Sequence, residues 1–185
     1  MATVLVIVAP GAEEIETIAV PDILVRGGHQ VTLASTTPTT MVTGSRGLPL
    51  AAHTRFTEVA DRTFDLVYLP GGMGSAETCR DDARIQDLAA GQLAAGRLLV
   101  VMCACPLALI PRGLATGRRL TSHPSVRAQL EPHCAAWLNQ PVVIDGNLIT
   151  SQGAGTALTL GFDLLSLLAN PAAADQVAAA MVATR

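Results

Sequence analysis

The sequence predicts a doubly wound, flavodoxin-like α/β fold, a mostly parallel sheet with helices on both faces. Three observations point there. Short, nearly all-apolar runs alternate with helical stripes along the chain, as in a sheet covered on both sides. Most of the apolar runs end in Gly or Pro, where a strand gives way to a turn. The 185 residues, 50% of them hydrophobic, suit one domain, 1–185, with a core large enough to need no disulfide framework.

Thr3–Val8 (TVLVIV) reads as a buried parallel strand ending at Pro10-Gly11. From Glu14 to Arg26, Ile15, Ile18, Ala19, Ile23 and Leu24 form a helical stripe that Gly27-Gly28 stops. Gln30–Ser35 is the second strand. Thr36 to Ala60 breaks into Thr, Pro and Gly clusters, read as a small hairpin or an edge excursion. Asp65–Leu69 is a strand that turns at Pro70-Gly71-Gly72. Ala83–Ala95 is helical, Arg97–Met102 is a strand, and Pro106–Arg112 is a short helix closed by Gly113. Val142–Ile144 and Leu148–Thr150 flank Asp145-Gly146, a two-residue hairpin signal. Gly155 to Leu168 is the last amphipathic helix, followed by an Ala-rich tail from Ala172.

Composition narrows the function. A net charge of −3 and 3% aromatic residues provide neither a basic field nor a stacking platform for nucleic acid. All twelve basic residues are Arg, which excludes Schiff-base and pyridoxal chemistry and the P-loop, all of which need a lysine amine. No apolar run approaches the ~20 residues of a membrane span. The N-terminus lacks the basic start and cleavage site of a signal peptide. Four cysteines do not form a secreted disulfide pattern. A soluble protein of the reducing cytoplasm is expected.

In such sheets chemistry sits beyond the carboxyl ends of the strands. Cys103 follows RLLVVM directly and precedes Pro106, so it is placed on a strand-to-helix turn. A helix start and its free N–H groups would favour thiolate there, and would hold an oxyanion formed by sulfur attack. The competing reading is a buried structural cysteine. Glu14 and Glu16 open the first helix, where carboxylates also serve as caps. Glu16 lies between Ile15 and Ile18, an apolar setting that would keep its carboxyl protonated. His123, before Pro124, falls at a strand end, although a lone His is often structural.

Five segments together are similar to one family. VLVIVAPGAEEIET, DLVYLPGG, VVMCACP, TSHP and LITSQGAGT stand in order along essentially the whole chain. They resemble the ThiJ/PfpI superfamily, on the branch of the Parkinson disease protein deglycase and its bacterial relatives. The resemblance implies that Cys103 is a nucleophile on a strained elbow, Glu16 a protonated carboxyl bonded to it, and His123 an acid or base. It implies an oxyanion hole from the Gly72 and Ala104 backbone. Gly71, Met73, Arg46, Gly155 and Thr156 would line the pocket, with Arg46 reaching an anion and a partner subunit contributing at Gly155 and Thr156. A homodimer follows from the same precedent, with Ile15, Ala19 and Ile23 as the stripe to bury.

Three departures stand out. Cys105 occupies a place where the family elbow commonly has Gly or Ala, so a second thiol is expected near the nucleophile, in the pocket. Cys-x-Cys binds metal in other settings, but no second ligand pair stands at zinc spacing, so no metal is expected. Met73 follows the Gly pair where polar residues are common. The resemblance implies a cofactor-independent glyoxalase or deglycase acting on a small reactive carbonyl through a Cys103 hemithioacetal. The alternatives are a redox-sensing stress protein or chaperone built on oxidation of Cys103, and a peptidase or amidase. Ala104 weakens the latter, standing where the peptidase branch has His. A flavin or nucleotide domain lacks G-x-G-x-x-G after the first strand and ranks below these.

Overall fold

A computed structural model describes residues 1–184; Arg185, the last residue of the expected domain, lies outside them. In chain order, β1 (Thr3–Val8), α1 (Glu14–Arg26) and β2 (Gln30–Ser35) fall where the periodicity places them. The Thr-rich stretch holds the hairpin β3 (Met41–Thr43) and β4 (Pro49–Ala51), then the short β5 (Thr54–Arg55). Next come β6 (Leu66–Leu69), α2 (Met73–Asp81), α3 (Ala83–Ala94) and β7 (Leu98–Met102). Two-residue strands β8 (Arg119–Leu120) and β9 (Ala136–Trp137) pair with each other and flank α4 (Arg127–Leu130). The hairpin β10 (Val142–Asp145) and β11 (Leu148–Ser151), then α5 (Ala157–Leu168) and α6 (Pro171–Ala180), complete the chain.

The central sheet has seven strands in the order β10-β11-β7-β6-β1-β2-β5. All neighbours are parallel except β10 and β11. Strand alternation divides the core. Val4, Val6, Val8, Tyr68, Val100 and Met102 face α1, α5 and α6, while Leu5, Ile7, Val67, Leu69, Leu99 and Val101 face α2 and α3. Close approach of α1 and α5 needs Gly161, where a Cβ would lie 2.5 Å from Ile23 Cδ1. The chain runs outward from β1 in both directions, to β2 on one side and β6 on the other. The residues after β1, β6 and β7 therefore meet at a topological switch point, where α/β sheets bind ligands.

Two expectations are corrected. Pro106–Arg112 is not an α-helix: Cys105–Leu109 forms a 3-10 turn. Ile23 is fully buried in the chain's own core, so it cannot belong to an intersubunit stripe. The helix α2 carries no periodic apolar signal in MGSAETCRD, because only Ser75, Ala76 and Cys79 are buried. Among the described residues no helix is long and apolar enough to cross a membrane.

Candidate active site

Cys103 stands one residue beyond β7 with φ 62°, a left-handed conformation that costs a non-glycine residue about 1–2 kcal/mol. Two backbone bonds hold it there. Its N–H donates to the Ser151 carbonyl at 2.9 Å, and its carbonyl accepts from the His123 N–H at 2.8 Å. The elbow turns the half-buried sulfur toward the backbone N–H groups of Gly72 and Ala104, both of which act on it. Gly72 itself needs to be glycine. Its φ is 91°, and a Cβ would lie 2.0 Å from the Gly11 carbonyl oxygen.

Glu16 is fully buried at the start of α1. The helix cap is supplied not by Glu16 or Glu14 but by Glu13, whose carboxylate accepts from the Glu16 N–H at 2.8 Å. Glu14 has another task. It accepts from Ser45 Oγ at 2.9 Å and from the Arg46 N–H at 2.7 Å, tying the loop after β3 to α1. Glu16 is thereby free for the pocket. Its Oε2 accepts from the Gly71 N–H at 2.7 Å, while Oε1 is buried without a hydrogen-bond partner.

Gly153 shows how these groups converge. A Cβ built there would lie 3.5 Å from His123 Cδ2 and 4.0 Å from both Cys103 Sγ and Glu16 Oε1. The absent side chain leaves open the space that the thiol, the orphaned carboxyl oxygen and the imidazole share. Sequence reading missed Gly153 because SQGAG reads only as a loop. His123 caps a short turn through Nδ1, which accepts from the Ser125 N–H at 3.2 Å. The neutral ring then carries its proton on Nε2.

Electrostatics ties thiol and acid together. Burial pushes the Glu16 carboxyl up to about 7, against the Gly71 N–H and the Cys103 thiol, which favour its charge. Burial, then the Glu16 charge, push the Cys103 thiol up to about 12, although the Gly72 and Ala104 N–H groups favour thiolate. Both burial and the Glu16 charge work against the resting thiolate expected from the sequence. A five-residue 3-10 turn stands where a helix was foreseen, and burial beside an acid outweighs two amides.

A pocket of about 230 Å³ opens over the sulfur, lined by Glu13, Ser45, Arg46, Gly72, Met73, Cys103, Ala104, His123 and Ser125. Glu13 was not foreseen in it. Among the described residues the Arg46 guanidinium takes no ion-pair partner. Gly155 and Thr156 line an adjoining cavity of about 400 Å³ that shares His123, and Thr156 Oγ1 accepts from the Gly153 N–H at 3.2 Å. Gly71, expected in the pocket, is not among its lining residues and packs behind it, where a Cβ would come 2.3 Å from Cys103 Cβ and 2.6 Å from Glu16 Oε2. Cys105 is outside the pocket. It is fully buried in the opposite core layer, with Cys79, and all four cysteines are free thiols.

The model of the DJ-1/PfpI family matches residues 2–167. The chain belongs to the DJ-1/PfpI family. It is 39% identical over 174 residues to protein dj-1beta of Drosophila melanogaster, covering 94% of this chain and 93% of that protein. The crystal structure of that Drosophila DJ-1beta superposes with a TM-score of 0.96 at 37% identity, covering 100% of this chain and 99% of that one. The glutathione-independent glyoxalase DJR-1.2 of Caenorhabditis elegans is 35% identical over 162 residues, covering 86% of this chain and 84% of that protein. The DJ-1/PfpI family thus includes a glyoxalase-type enzyme that shares most of its length with this chain.

Proposed function

We propose that the protein is a cofactor-independent, cysteine-dependent glyoxalase and deglycase acting on methylglyoxal-type dicarbonyls. The observation that carries this reading is the convergence of Cys103 Sγ, Glu16 Oε1 and His123 on the space left by Gly153. As the sulfur attacks the aldehyde carbon, its proton passes to Glu16, a stronger base than an ordinary carboxylate because burial has raised it to about 7. The Gly72 and Ala104 N–H groups, which act on the sulfur at rest, hold the developing oxyanion. Glu16 returns the proton to that oxygen, giving a hemithioacetal. Ionised again, it takes the proton from the former aldehyde carbon and delivers it to the neighbouring carbonyl carbon. The hemithioacetal hydroxyl proton passes to the neighbouring oxygen, which ends as a hydroxyl as the former aldehyde carbon regains its carbonyl. The product is a thioester. Water hydrolyses it to a 2-hydroxy acid and the free thiol, with the His123 Nε2 proton available to its carbonyl.

The test is consumption of methylglyoxal without glutathione. Saturable turnover to lactate that vanishes in Cys103→Ser supports the reading; consumption of one equivalent per protein overturns it. The same orphaned Oε1 favours redox sensing as the second reading, because a protonated Glu16 would donate to a sulfinate formed on Cys103 by hydroperoxide. Two equivalents of peroxide consumed per protein, one to reach the sulfenate and a second to reach the sulfinate, with no dicarbonyl turnover, would select that alternative.

A further inference from the structure

Cys105, two residues beyond the nucleophile, is turned away from the pocket, and its contacts lead back to it. Its thiol donates to the Pro70 carbonyl at 2.9 Å, and Ser75 Oγ donates to the same oxygen at 2.9 Å. That carbonyl belongs to the same peptide unit as the Gly71 N–H, which donates to Glu16 Oε2 at 2.7 Å. One flat amide is therefore gripped on its oxygen from the α2 side of the sheet and on its hydrogen from the pocket side. Donors on a carbonyl oxygen draw charge through the amide and strengthen its N–H as a donor.

We propose that Cys105 is a positioning residue, whose thiol polarises the Pro70–Gly71 peptide and so sets the strength of the hydrogen bond that Gly71 gives Glu16. Burial suits it for this. Cys105 is fully excluded from solvent and its thiol is held well above the usual range by desolvation, so it stays a donor at every working pH. The Gly71 N–H is the leading group that opposes burial in fixing the proton affinity of Glu16. Weakening that bond raises the affinity. The other groups facing Glu16 are Glu13 at its own helix start, Cys103 on the elbow, Tyr68 from β6, whose hydroxyl donates to the Glu16 carbonyl, His123 beyond Gly153, and Arg46 at the pocket rim. None of them contacts the Pro70 oxygen.

This inference deepens the reading of Glu16 as proton carrier and rests on it, but its test needs no substrate. The Glu16 carboxyl is titrated by carbon NMR in glutamate-labelled protein, assigned through Glu16→Gln. In Cys105→Ala the inflection should move up from about 7 by roughly half a pH unit. Ser75→Ala, which removes the other donor from the same oxygen, should move it likewise. Cys105→Ser keeps a donor and should hold the inflection at or below the native value. Leu109→Ala, which opens a cavity in the same core layer, should lower the melting temperature and leave the inflection in place. If Cys105→Ala, or Ser75→Ala should the former not fold, costs stability without moving the inflection, the thiol is packing and the proposal is wrong. Failure of methylglyoxal turnover in the native protein would overturn the glyoxalase reading and leave these titrations standing.

Discussion

Glu16 titrates at about 7 in the folded protein because burial disfavours its charge more than the Gly71 N–H supports it. The folded value lies above the ordinary 4.5, so the folded state holds more protons between the two, and stability falls as pH rises through that window. Above it the ionised group costs on the order of 3 kcal/mol. Glu16→Gln removes that cost. Its urea midpoint should exceed the native one at pH 8, and the difference should close below pH 4.5. The same variant removes the charge that helps to push the Cys103 thiol up, so thiolate absorbance should appear at lower pH than in the native protein. Turnover of methylglyoxal should nonetheless fall about 10²–10⁴-fold, the usual worth of a positioned proton carrier. A Gln variant with full turnover would reduce Glu16 to a structural acid.

Elements explain why some residues were legible in the sequence and others were not. The strands β1, β6 and β7 are apolar runs with sharp ends, so Glu16, Gly72 and Cys103 could be placed at their carboxyl edge from order alone. Cys105 could not. Two residues apart in a continuing strand, Cys103 and Cys105 would share a face; the positive φ at Cys103 ends the strand and sends Cys105 to the other core layer. The helix α2 escaped notice because it buries only small side chains. Gly153 escaped because its meaning lies in three residues distant in sequence. The loop between β11 and α5 yields a prediction of its own. A Cβ at Gly153 makes only ordinary contacts of 3.5–4.0 Å, and its backbone is extended, φ 163°. Gly153→Ala should therefore keep or raise the melting temperature, since the unfolded chain loses freedom. The same methyl fills the space where the aldehyde must sit, so kcat/KM should drop at least tenfold. Unchanged kinetics would place the substrate elsewhere.

On the scale of the whole molecule, α1 has two apolar sides. Val20, Ile23 and Leu24 are buried against the sheet and α5, while Ile15, Ile18 and Val25 are exposed at 56%, 48% and 56%. Leu48, 57% exposed, is brought toward the start of this face, because its N–H donates to Glu14 Oε1 at 3.4 Å. Single exposed aliphatics are ordinary, but a row on one helix beside the pocket-forming loop is a surface that water does not favour. We propose that this face pairs with a second copy of the chain about a two-fold axis, where each Ile15 and Ile18 meets apolar surface of the other copy. Sedimentation at micromolar concentration should then give twice 19.1 kDa, and Ile18→Glu should give a folded monomer with native circular dichroism. The effect should be specific to that side of the molecule, so Arg112→Glu, at an exposed residue that pairs with Asp87 of α3 across the sheet from α1, should leave the dimer intact. A native chain that sediments as one 19.1 kDa species defeats the proposal. A dimer that survives Ile18→Glu places the interface on another face. Because Glu13, Glu14 and Glu16 all stand in the first turns of this helix, pairing through it would also steady the end of α1 that holds the proton carrier. The monomeric variant should therefore lose methylglyoxal turnover in step with its loss of dimer.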